Sequence, residues 1–457
     1  KMSSAVSAKS VRIFQADAFT DQAFRGNPAA VVLEPSGGAA LTDDLRQSIA
    51  QEMNLSETAF VAPVGPARGD DPFRDGQRFS LRWLTPQTEV GLCGHATLAA
   101  AGVLFSQCGN AHSEVTFQTR SGPLTVRRAD GRLVMSFPTH IPLPINFAAP
   151  PASDLYRAAV ANAIARCVFD GMLAPDDPLS AVVAAMLHDT TTGKLIIRLH
   201  TSFPAEHLVG VDVQAFSGSC IPGAALLSRL RPDVAGMLRV DQSLLPRAMR
   251  VCGVSVTCEV DDVELEMAPS PGPGGALAAG AAATAATAAT AADGSSGGSS
   301  GGSGHGSDVL AALKTVLPRA SSALGHTFAS RYFNPWVGID EDPVNGSSHT
   351  LLGPYFAMRV LFRAVAAGAD LAPPATGESD GVLWEHAGTA CSVRATHDGG
   401  YVVRMRARML SSRGGSIELA VPLRVPDGVL ADAKTGGGES ESKSGGEGEG
   451  EAKGGEG

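Results

Sequence analysis

Three residues that could react or bind a ligand, Cys93, Gly94 and His95, lie directly before a segment that is apolar on every face. They lie in the stretch RWLTPQTEVGLCGHATLAAAGVLF, which spans Arg82–Phe105. A helix that is apolar all round is buried in a core. Its N-terminus offers unpaired N–H groups and the positive end of the helix dipole, both of which favour anions. The pattern therefore predicts a polar helix mouth where a carboxylate or a developing oxyanion docks.

The same order of features occurs twice in the chain. The pentads RWLTP, from Arg82, and RYFNP, from Arg331, match as Arg, aromatic, apolar, small polar and Pro. An acidic loop, a glycine corner and an apolar helix follow each pentad. The two corner pairs are Gly94-His95 and Gly346-Ser347. This repetition predicts two pseudo-symmetric lobes whose glycine corners face each other across a cleft.

The elements that must position these corners are mainly strands. Strands are predicted over Val11–Phe19, Asn27–Glu34, Phe79–Thr85 and Glu114–Arg120. Asp130-Gly131 predicts a hairpin turn, and Thr42 predicts the N-cap of an amphipathic helix. An apolar helix among antiparallel strands fits the inside of a curled sheet. The predicted fold is α+β, with two lobes that are each a barrel-like, mostly antiparallel sheet around a central apolar helix.

Composition excludes several classes of function. The 457 residues, 44% of them hydrophobic, are enough for a sizeable core. A net charge of −10 argues against a nucleic-acid partner. No apolar run reaches the ~18 residues of a membrane span. The seven cysteines never show C-x-x-C spacing, which favours reduced thiols over disulfides or a zinc site. We expect a cytoplasmic protein, with an organelle left open.

Two segments differ in composition from the rest. Residues 268–307 are rich in Ala, Gly and Ser, and residues 434–457 are rich in Gly and Glu. Neither has the apolar content that offsets the entropy of ordering, so both are predicted to be disordered. The predicted organisation is an N-terminal lobe over 11–140, an inter-lobe connection over 141–190, and a C-terminal lobe over 191–430. The first segment interrupts that second lobe, and the second forms an acidic tail.

Several long motifs occur in an order typical of one protein family. They are FRGNPAAVV, EMNLSETAFV, RWLTPQTEVGLCGHATLA, DTTTGKLIIRL, SRYFNPWVGIDEDPVNGSSHTLLGPY and SSRGGSIEL. In these motifs the chain resembles the phenazine-biosynthesis PhzF-like isomerases, which share the two-lobed diaminopimelate epimerase fold. The resemblance covers most of Val11–Leu419. It implies an active site between the lobes, no metal or organic cofactor, and often a homodimer.

The resemblance also implies roles for individual residues. The catalytic positions fall on Glu57, His95 and Asp342, and the substrate-binding positions fall on Gly94, Gly346 and Ser347. Asn345 departs from the family pattern, in which Thr is commoner. Related epimerases of this fold use two opposed thiols, one before each glycine corner. Here Cys93 precedes the first corner, but Asn345 precedes the second.

Each of these residues also has a plainer interpretation. Glu57 follows a helix-ending Asn-Leu-Ser, where a carboxylate is usually a solvated loop residue. His95 could be a hydrogen-bonded structural histidine, and Asp342 a turn residue, although its acidic loop matches the one that contains Glu89. Gly346 and Ser347 could simply begin a helix.

The favoured hypothesis is a cofactor-independent isomerase that acts on a small carboxylate-bearing substrate. In this hypothesis, Glu57 takes a proton from one face of the substrate and returns it, while His95 and Asp342 position and polarise the substrate. One rival is a non-catalytic interaction protein that keeps the fold. The other is a cofactor-independent epimerase, which Asn345 disfavours because one thiol cannot perform two-base chemistry.

Overall fold

The computed structural model of the chain describes residues 10–34, 41–65, 69–173, 176–209, 220–259, 326–369, 371, 382–385, 391–396, 400–411 and 413–425. Both segments of biased composition, 268–307 and 434–457, lie outside these ranges. Within the described part, no helix has the length and apolar character that crossing a membrane requires.

The first eight strands form one curled sheet. They are β1 (Arg12–Ala18), β2 (Asn27–Leu33), β3 (Glu57–Pro63), β4 (Arg78–Leu84), β5 (Glu89–Val90), β6 (Glu114–Thr119), β7 (Gly122–Ala129) and β8 (Arg132–Met135). Their order is β1-β2-β3-β4-β6-β7-β8, with β5 beside β4. Only the β2/β3 and β4/β6 pairs are parallel among these neighbours. The apolar helix α3 (Gly94–Ser106) contacts both edge strands, β1 and β8, so the sheet wraps around it.

Local predictions in this lobe are confirmed. Helix α1 (Asp43–Met53) begins after Thr42, whose side chain accepts a hydrogen bond from the backbone N–H of Leu45. The turn between β7 and β8 has positive φ angles at Asp130 (50°) and Gly131 (74°), as an Asp-Gly hairpin turn requires. A short helix α2 (Pro72–Asp75) completes the lobe.

Ten of the remaining strands form the second sheet. These are β9 (Leu143–Ile145), β10 (Val183–Asp189), β11 (Lys194–Leu199), β14 (Gly253–Glu259), β15 (Phe328–Asn334), β16 (Ile339–Asp342), β17 (Val382–Glu385), β18 (Ser392–Ala395), β19 (Tyr401–Met409) and β20 (Gly415–Leu423). Their order is β17-β18-β19-β15-β14-β11-β10-β9, with β16 beside β15 and β20 beside β19. Strands β12 (Ser202–Pro204) and β13 (Cys220–Pro222) pair separately. The apolar helix α7 (His349–Ala366) packs against β18, β19 and β20.

The second lobe carries further helices beyond its central one. Helices α4 (Leu155–Val168), α5 (Gly223–Arg229) and α6 (Val234–Arg239) build a separate apolar cluster with β10, β11 and β14. The described part of 141–190, the expected inter-lobe connection, contains β9, α4 and β10, which belong to the second sheet and its core. The central helix alone would leave one face of this sheet exposed to solvent. Helices α4, α5 and α6 cover that face.

The repeat is visible in three dimensions. In each lobe a short acidic strand folds back on the strand of the pentad before the corner and the apolar helix. The arginine of each pentad holds that strand through a bidentate ion pair. The N···O distances are 2.9 and 2.8 Å between Arg82 and Glu89, and 2.7 Å for both contacts between Arg331 and Glu341. Glu341, rather than Asp342, is therefore the counterpart of Glu89. The two acidic loops match as predicted, but Glu341 takes the place of Glu89, so the match does not by itself argue for Asp342 as a site residue.

We expect the low-complexity segment to be dispensable for folding. Residues 260–325 join β14 to its antiparallel neighbour β15, in which Glu259 pairs with Phe328. Replacing 268–307 by a short Gly-Ser linker changes only the closure entropy, by about 0.6 kcal/mol per doubling of loop length. The shortened protein should stay soluble, with a Tm within a few degrees of wild type by calorimetry. A cooperative transition that is lost would show that the segment packs on the fold.

Candidate active site

The two glycine corners lie in direct contact. A methyl group at position 94 would lie 3.3 Å from Cα of Gly346 and 2.7 Å from Cζ of Phe137. A methyl group at position 346 would lie 3.3 Å from Cα of Gly94 and 3.1 Å from Cζ of Phe19. Glycine at both positions therefore lets the lobes approach, and the prediction that the corners face each other is confirmed.

Two half-buried aromatic rings lie against the corners. They belong to Phe19 and Phe137. Phe19 has a φ of 61°, a left-handed conformation that is uncommon for a bulky side chain and that recurs at functional sites. The three predicted catalytic side chains are all buried beside these corners: Glu57, His95 and Asp342 are 6%, 1% and 2% exposed. The expected open cleft stays a prediction, because in this conformation the corners touch.

Glu57 is the first residue of β3 and not the solvated loop residue that its local sequence suggests. Asn54 ends α1 in a left-handed conformation, and the chain then enters β3, in which Glu57 pairs with Ala29 of β2. Its Oε2 lies 3.5 Å from Nε2 of His95 and has no hydrogen-bond partner among the described residues. Burial, followed by the nearby charge of Asp342, raises the pKa of Glu57 to about 8.

His95 lies on the first turn of α3 and is held as a neutral ring. Burial lowers its pKa to about 3. Its Nδ1 lies 3.4 Å from Sγ of Cys93, and its Nε2 lies 3.2 Å from Oγ of Ser56. The Ser56 hydroxyl donates to Oδ1 of Asn27 at 3.3 Å, so the contact is satisfied when Nε2–H of His95 donates to Ser56.

Asp342 ends β16 and receives hydrogen bonds from both lobes. The side-chain amide of Asn27 in the first lobe donates to Oδ1 of Asp342 and, at 3.0 Å, to the carbonyl of Val344. The side-chain amide of Asn345 donates to Oδ2 at 2.6 Å. Burial raises the pKa of Asp342 to about 6, and the two amide hydrogen bonds oppose that rise because they favour the carboxylate.

The hydrogen bonds continue into the second corner. Oδ1 of Asn345 accepts from the Ser347 hydroxyl at 3.1 Å and from the backbone N–H of Ser348 at 2.5 Å. The ammonium group of Lys194 donates to the carbonyl and to Oγ of Ser347, both at 2.9 Å. Ser347 precedes α7, which begins at His349. Gly346 and Ser347 therefore form the turn before the helix and do not begin it.

We call this chain of side chains the cross-lobe network. It joins seven residues: Lys194, Ser347, Asn345, Asp342, Asn27, Ser56 and His95. The residue-level reasoning identified His95, Asp342 and Ser347, but it gave no role to Asn27, Ser56 or Lys194. A signal for these was present, because each lies in one of the quoted motifs: FRGNPAAVV, EMNLSETAFV or DTTTGKLIIRL.

The network gives the two buried carboxyl groups, those of Asp342 and Glu57, different hydrogen-bonding environments. Asp342 accepts hydrogen bonds on both oxygens, whereas Oε2 of Glu57 has no partner in the described chain. Burial raises the pKa of both groups, and the two amide hydrogen bonds oppose that rise at Asp342, so Glu57 is the carboxyl group that more readily keeps its proton. Two carboxyl groups whose environments push their pKa values apart are suited to different tasks. Near neutral pH, Asp342 is suited to hold charge and Glu57 to exchange a proton.

Three residues near the first corner could together ligate a transition metal. Side-chain donor atoms of Glu57, Cys93 and His95 lie within 4.8 Å of one another, and all three residues are buried. Sulfur, imidazole nitrogen and carboxylate oxygen are ligands that Zn²⁺ accepts. The absence of a metal requirement stays a prediction.

A separate groove of about 580 Å³ lies along α3. It is open to solvent and lined by β1, β8 and the C-terminal half of α3, including Phe14, Val103, Phe105 and Leu133. None of the six predicted site residues lines it. Its walls offer no titratable side chain, so it lacks the groups that proton transfer needs.

Comparison with known proteins points to one family. The model of the phenazine biosynthesis-like proteins, PhzC-PhzF, matches residues 16–202 and 307–389. The mouse phenazine biosynthesis-like domain-containing protein 1 is 33% identical over 348 residues, which cover 76% of this chain and 84% of that protein. Its human counterpart is 32% identical, with the same coverage of both chains. A protein named an uncharacterized isomerase from Pseudomonas aeruginosa is 45% identical over 177 residues, which cover 39% of this chain and 61% of that one.

Among solved structures, a PhzF-family protein from Enterococcus faecalis is 22% identical and superimposes with a TM-score of 0.47. The match covers 90% of this chain and 92% of that one.

The raised pKa of Glu57 predicts how Glu57→Gln changes stability. The folded protein holds this proton up to about pH 8, whereas the unfolded chain releases it near its usual pKa of 4.5. The free energy of unfolding should therefore fall as pH rises through this window, and glutamine should remove that loss. At pH 8, Glu57→Gln should be more stable than wild type, on the order of 3 kcal/mol, and at pH 4.5 the two should be similar.

Urea unfolding at both pH values measures this difference. Glu341→Gln is the matched control, since it breaks the ion pair with buried Arg331 and should lose stability at both. A Glu57→Gln variant no more stable than wild type at pH 8 would mean that the Glu57 carboxylate is not destabilised by its site.

Proposed function

The chain belongs to the phenazine biosynthesis-like family, and on that premise we propose that it is a cofactor-independent isomerase. It moves a proton on a small carboxylate-bearing substrate bound at the two glycine corners. The observation that carries the proposal is the Glu57 carboxyl group: it is buried at the lobe interface, its pKa is raised to about 8, and one of its oxygens is unpartnered among the described residues. Relatives named as isomerases support the same reaction type.

Glu57 is the proton shuttle in this proposal. A general base works best when its pKa lies near the working pH, since it must both take a proton and return it. A carboxyl group with its usual pKa would bind the proton too weakly to compete with a carbon acid. Oε2 accepts no hydrogen bond of normal geometry from the described residues, so it stays available to a proton of the substrate.

The remaining predicted residues hold and polarise the substrate. The N-terminus of α3 has no side-chain cap, so the N–H groups around Gly94 can bind an anion, as can those of the turn at Gly346 and Ser347. His95 acts as a neutral hydrogen-bonding ring, because its burial opposes protonation. Asp342 acts as a fixed negative charge that orients the amides of Asn27 and Asn345.

The two rival functions meet specific objections. An epimerase of the two-thiol type needs a thiol before the second corner, where Asn345 instead bonds to Asp342 and Ser347. A protein retained only for interactions gains nothing from a buried carboxyl group with an unpartnered oxygen, which costs stability.

Substrate entry requires Phe19 and Phe137 to move away from the corners. The homodimer implied by the family resemblance stays a prediction.

Exchange with solvent provides the direct test of Glu57. Glu57→Gln removes the proton acceptor and nearly preserves shape, so turnover should fall by ~10²- to 10⁴-fold, the range typical of a general acid–base group. Binding of a carboxylate should change little. Candidate cyclic acids and amino acids incubated in deuterated water are analysed by NMR. Wild type should place deuterium at the carbon that receives the proton, and the variant almost none.

Glu34→Gln is the matched control for that experiment, because Glu34 is also a buried carboxylate of the first lobe but pairs with Arg46 of α1 and takes no part in the corners. It should retain deuterium incorporation. If Glu57→Gln exchanged its substrate as fast as wild type, Glu57 would not be the base.

Cys93 distinguishes one-base from two-base chemistry. Cys93→Ala should keep most of the turnover, within about tenfold of wild type, because no second thiol stands opposite it and Glu57 remains. Initial rates of the two proteins with the same substrate, together with their Tm values, measure this. Loss of turnover beyond 10²-fold without a drop in Tm would favour the thiol-dependent epimerase.

A further inference from the structure

Lys194 is a buried cation to which the proposed mechanism gives no role. It begins β11, directly after Gly193, and is 8% exposed. Both hydrogen bonds recorded for its ammonium group go to Ser347, one to the carbonyl and one to the hydroxyl. Its Nζ also lies 5.8 Å from the centre of the Tyr332 ring. It is therefore bound to one of the two corners at which the substrate anion is proposed to dock.

The charge of Lys194 has no direct partner in the described part of the chain. No carboxylate there forms an ion pair with it, and Asp342 is reached only through Ser347 and Asn345. Burial accordingly lowers its pKa to about 8. Several ionisable groups lie near its ammonium group: Cys252, Asp189, Asp342, Cys93, His349 and Tyr332. A buried ammonium without an ion-pair partner destabilises the fold, so we expect a role that offsets this cost.

A count of charges suggests that role. During proton abstraction the site holds the carboxylates of Glu57 and Asp342, and an anionic substrate adds a third negative charge. His95 is neutral, so Lys194 is the only cation of the cross-lobe network. Three buried negative charges without a cation would repel one another strongly in an interior of low dielectric.

We propose that Lys194 is a specificity-determining residue that makes the Gly346-Ser347 corner select a carboxylate over an equally shaped neutral group. It acts in two ways. Its charge compensates that of the ligand. Its two hydrogen bonds fix Ser347, whose hydroxyl then points to Asn345 and whose backbone N–H is left to the ligand. The inference rests on the proposed function, because it assigns the substrate's carboxylate to this site.

The test compares charged and neutral probes of one shape. Binding of benzoate and benzamide to the full-length protein is measured by ligand-observed NMR at pH 7. Wild type should prefer benzoate. Lys194→Met should weaken benzoate binding roughly 10- to 100-fold, the range for losing one opposite charge a few ångströms away in a partly screened interior, and change benzamide binding less than about twofold. Lys194→Arg should restore most of the preference for benzoate.

Arg198→Met is the matched control. Arg198 lies on the same strand, β11, and donates to the Tyr355 hydroxyl away from the corners, so its loss should leave benzoate binding unchanged. Equal losses of benzoate and benzamide binding in Lys194→Met would mean that Lys194 only supports the fold. Unchanged benzoate binding in that variant, or a wild type without preference, would also overturn the inference.

A second measurement uses wild-type protein, so it tests the inference even if Lys194→Met does not fold. In wild-type protein labelled with [¹⁵N]lysine, the Lys194 signal, assigned by its absence from Lys194→Arg, should titrate at higher pH when benzoate is saturating, since a nearby anion favours the ammonium form. An unmoved midpoint would contradict the inference. These outcomes are separate from those for the proposed function, because they measure binding: Glu57→Gln should lose turnover and keep the benzoate preference.

Discussion

The hydrogen bond from the side-chain amide of Asn27 to Asp342 is the contact on which the candidate site depends. Asn27 begins β2 in the first lobe, and Asp342 ends β16 in the second. It is the link of the cross-lobe network that passes from one lobe to the other, and it is buried, so no water competes for either partner. The two halves of the site consequently exist together only when the lobes are docked. An error in the packing of either lobe would separate Glu57 and His95 from Asp342.

The repeat gives both docked corners the same support. In each lobe an arginine on the central strand clamps the acidic strand that leads into the corner, through Arg82 and Glu89 or Arg331 and Glu341. Two parallel N–H···O bonds fix orientation as well as distance. The clamp thus sets the path of the backbone into each glycine, while the residues beside the glycines differ. The first lobe contributes the buried carboxyl group of Glu57 to the interface, and the second contributes the buried ammonium group of Lys194.

Stability and function oppose each other at this interface. Glu57, Asp342 and Lys194 are all ionisable and all buried, and burial displaces the pKa of each toward its neutral form. Each displacement costs folding free energy, and each brings the pKa of the group closer to neutral pH, where the group can exchange a proton. The apolar helices α3 and α7 and their surrounding strands supply the burial that offsets this cost.

Local pattern is enough to predict several features: the helix after Thr42, the Asp130-Gly131 turn, the two apolar helices and the repeated order of strand, acid, glycine and helix. Together with the family resemblance, it also predicts which residues lie together at the lobe interface.

The environment of each of these residues depends on tertiary contacts. Glu57 follows a helix end, where a carboxylate is usually solvated, but β2 and the opposite lobe bury it. Glu341 rather than Asp342 is the structural counterpart of Glu89, because pairing within each sheet selects the partner of each arginine. Asn27, Ser56 and Lys194 join one network although they are far apart in the chain. Neither propensity nor periodicity reports such contacts, because they form only when two separately curled sheets dock.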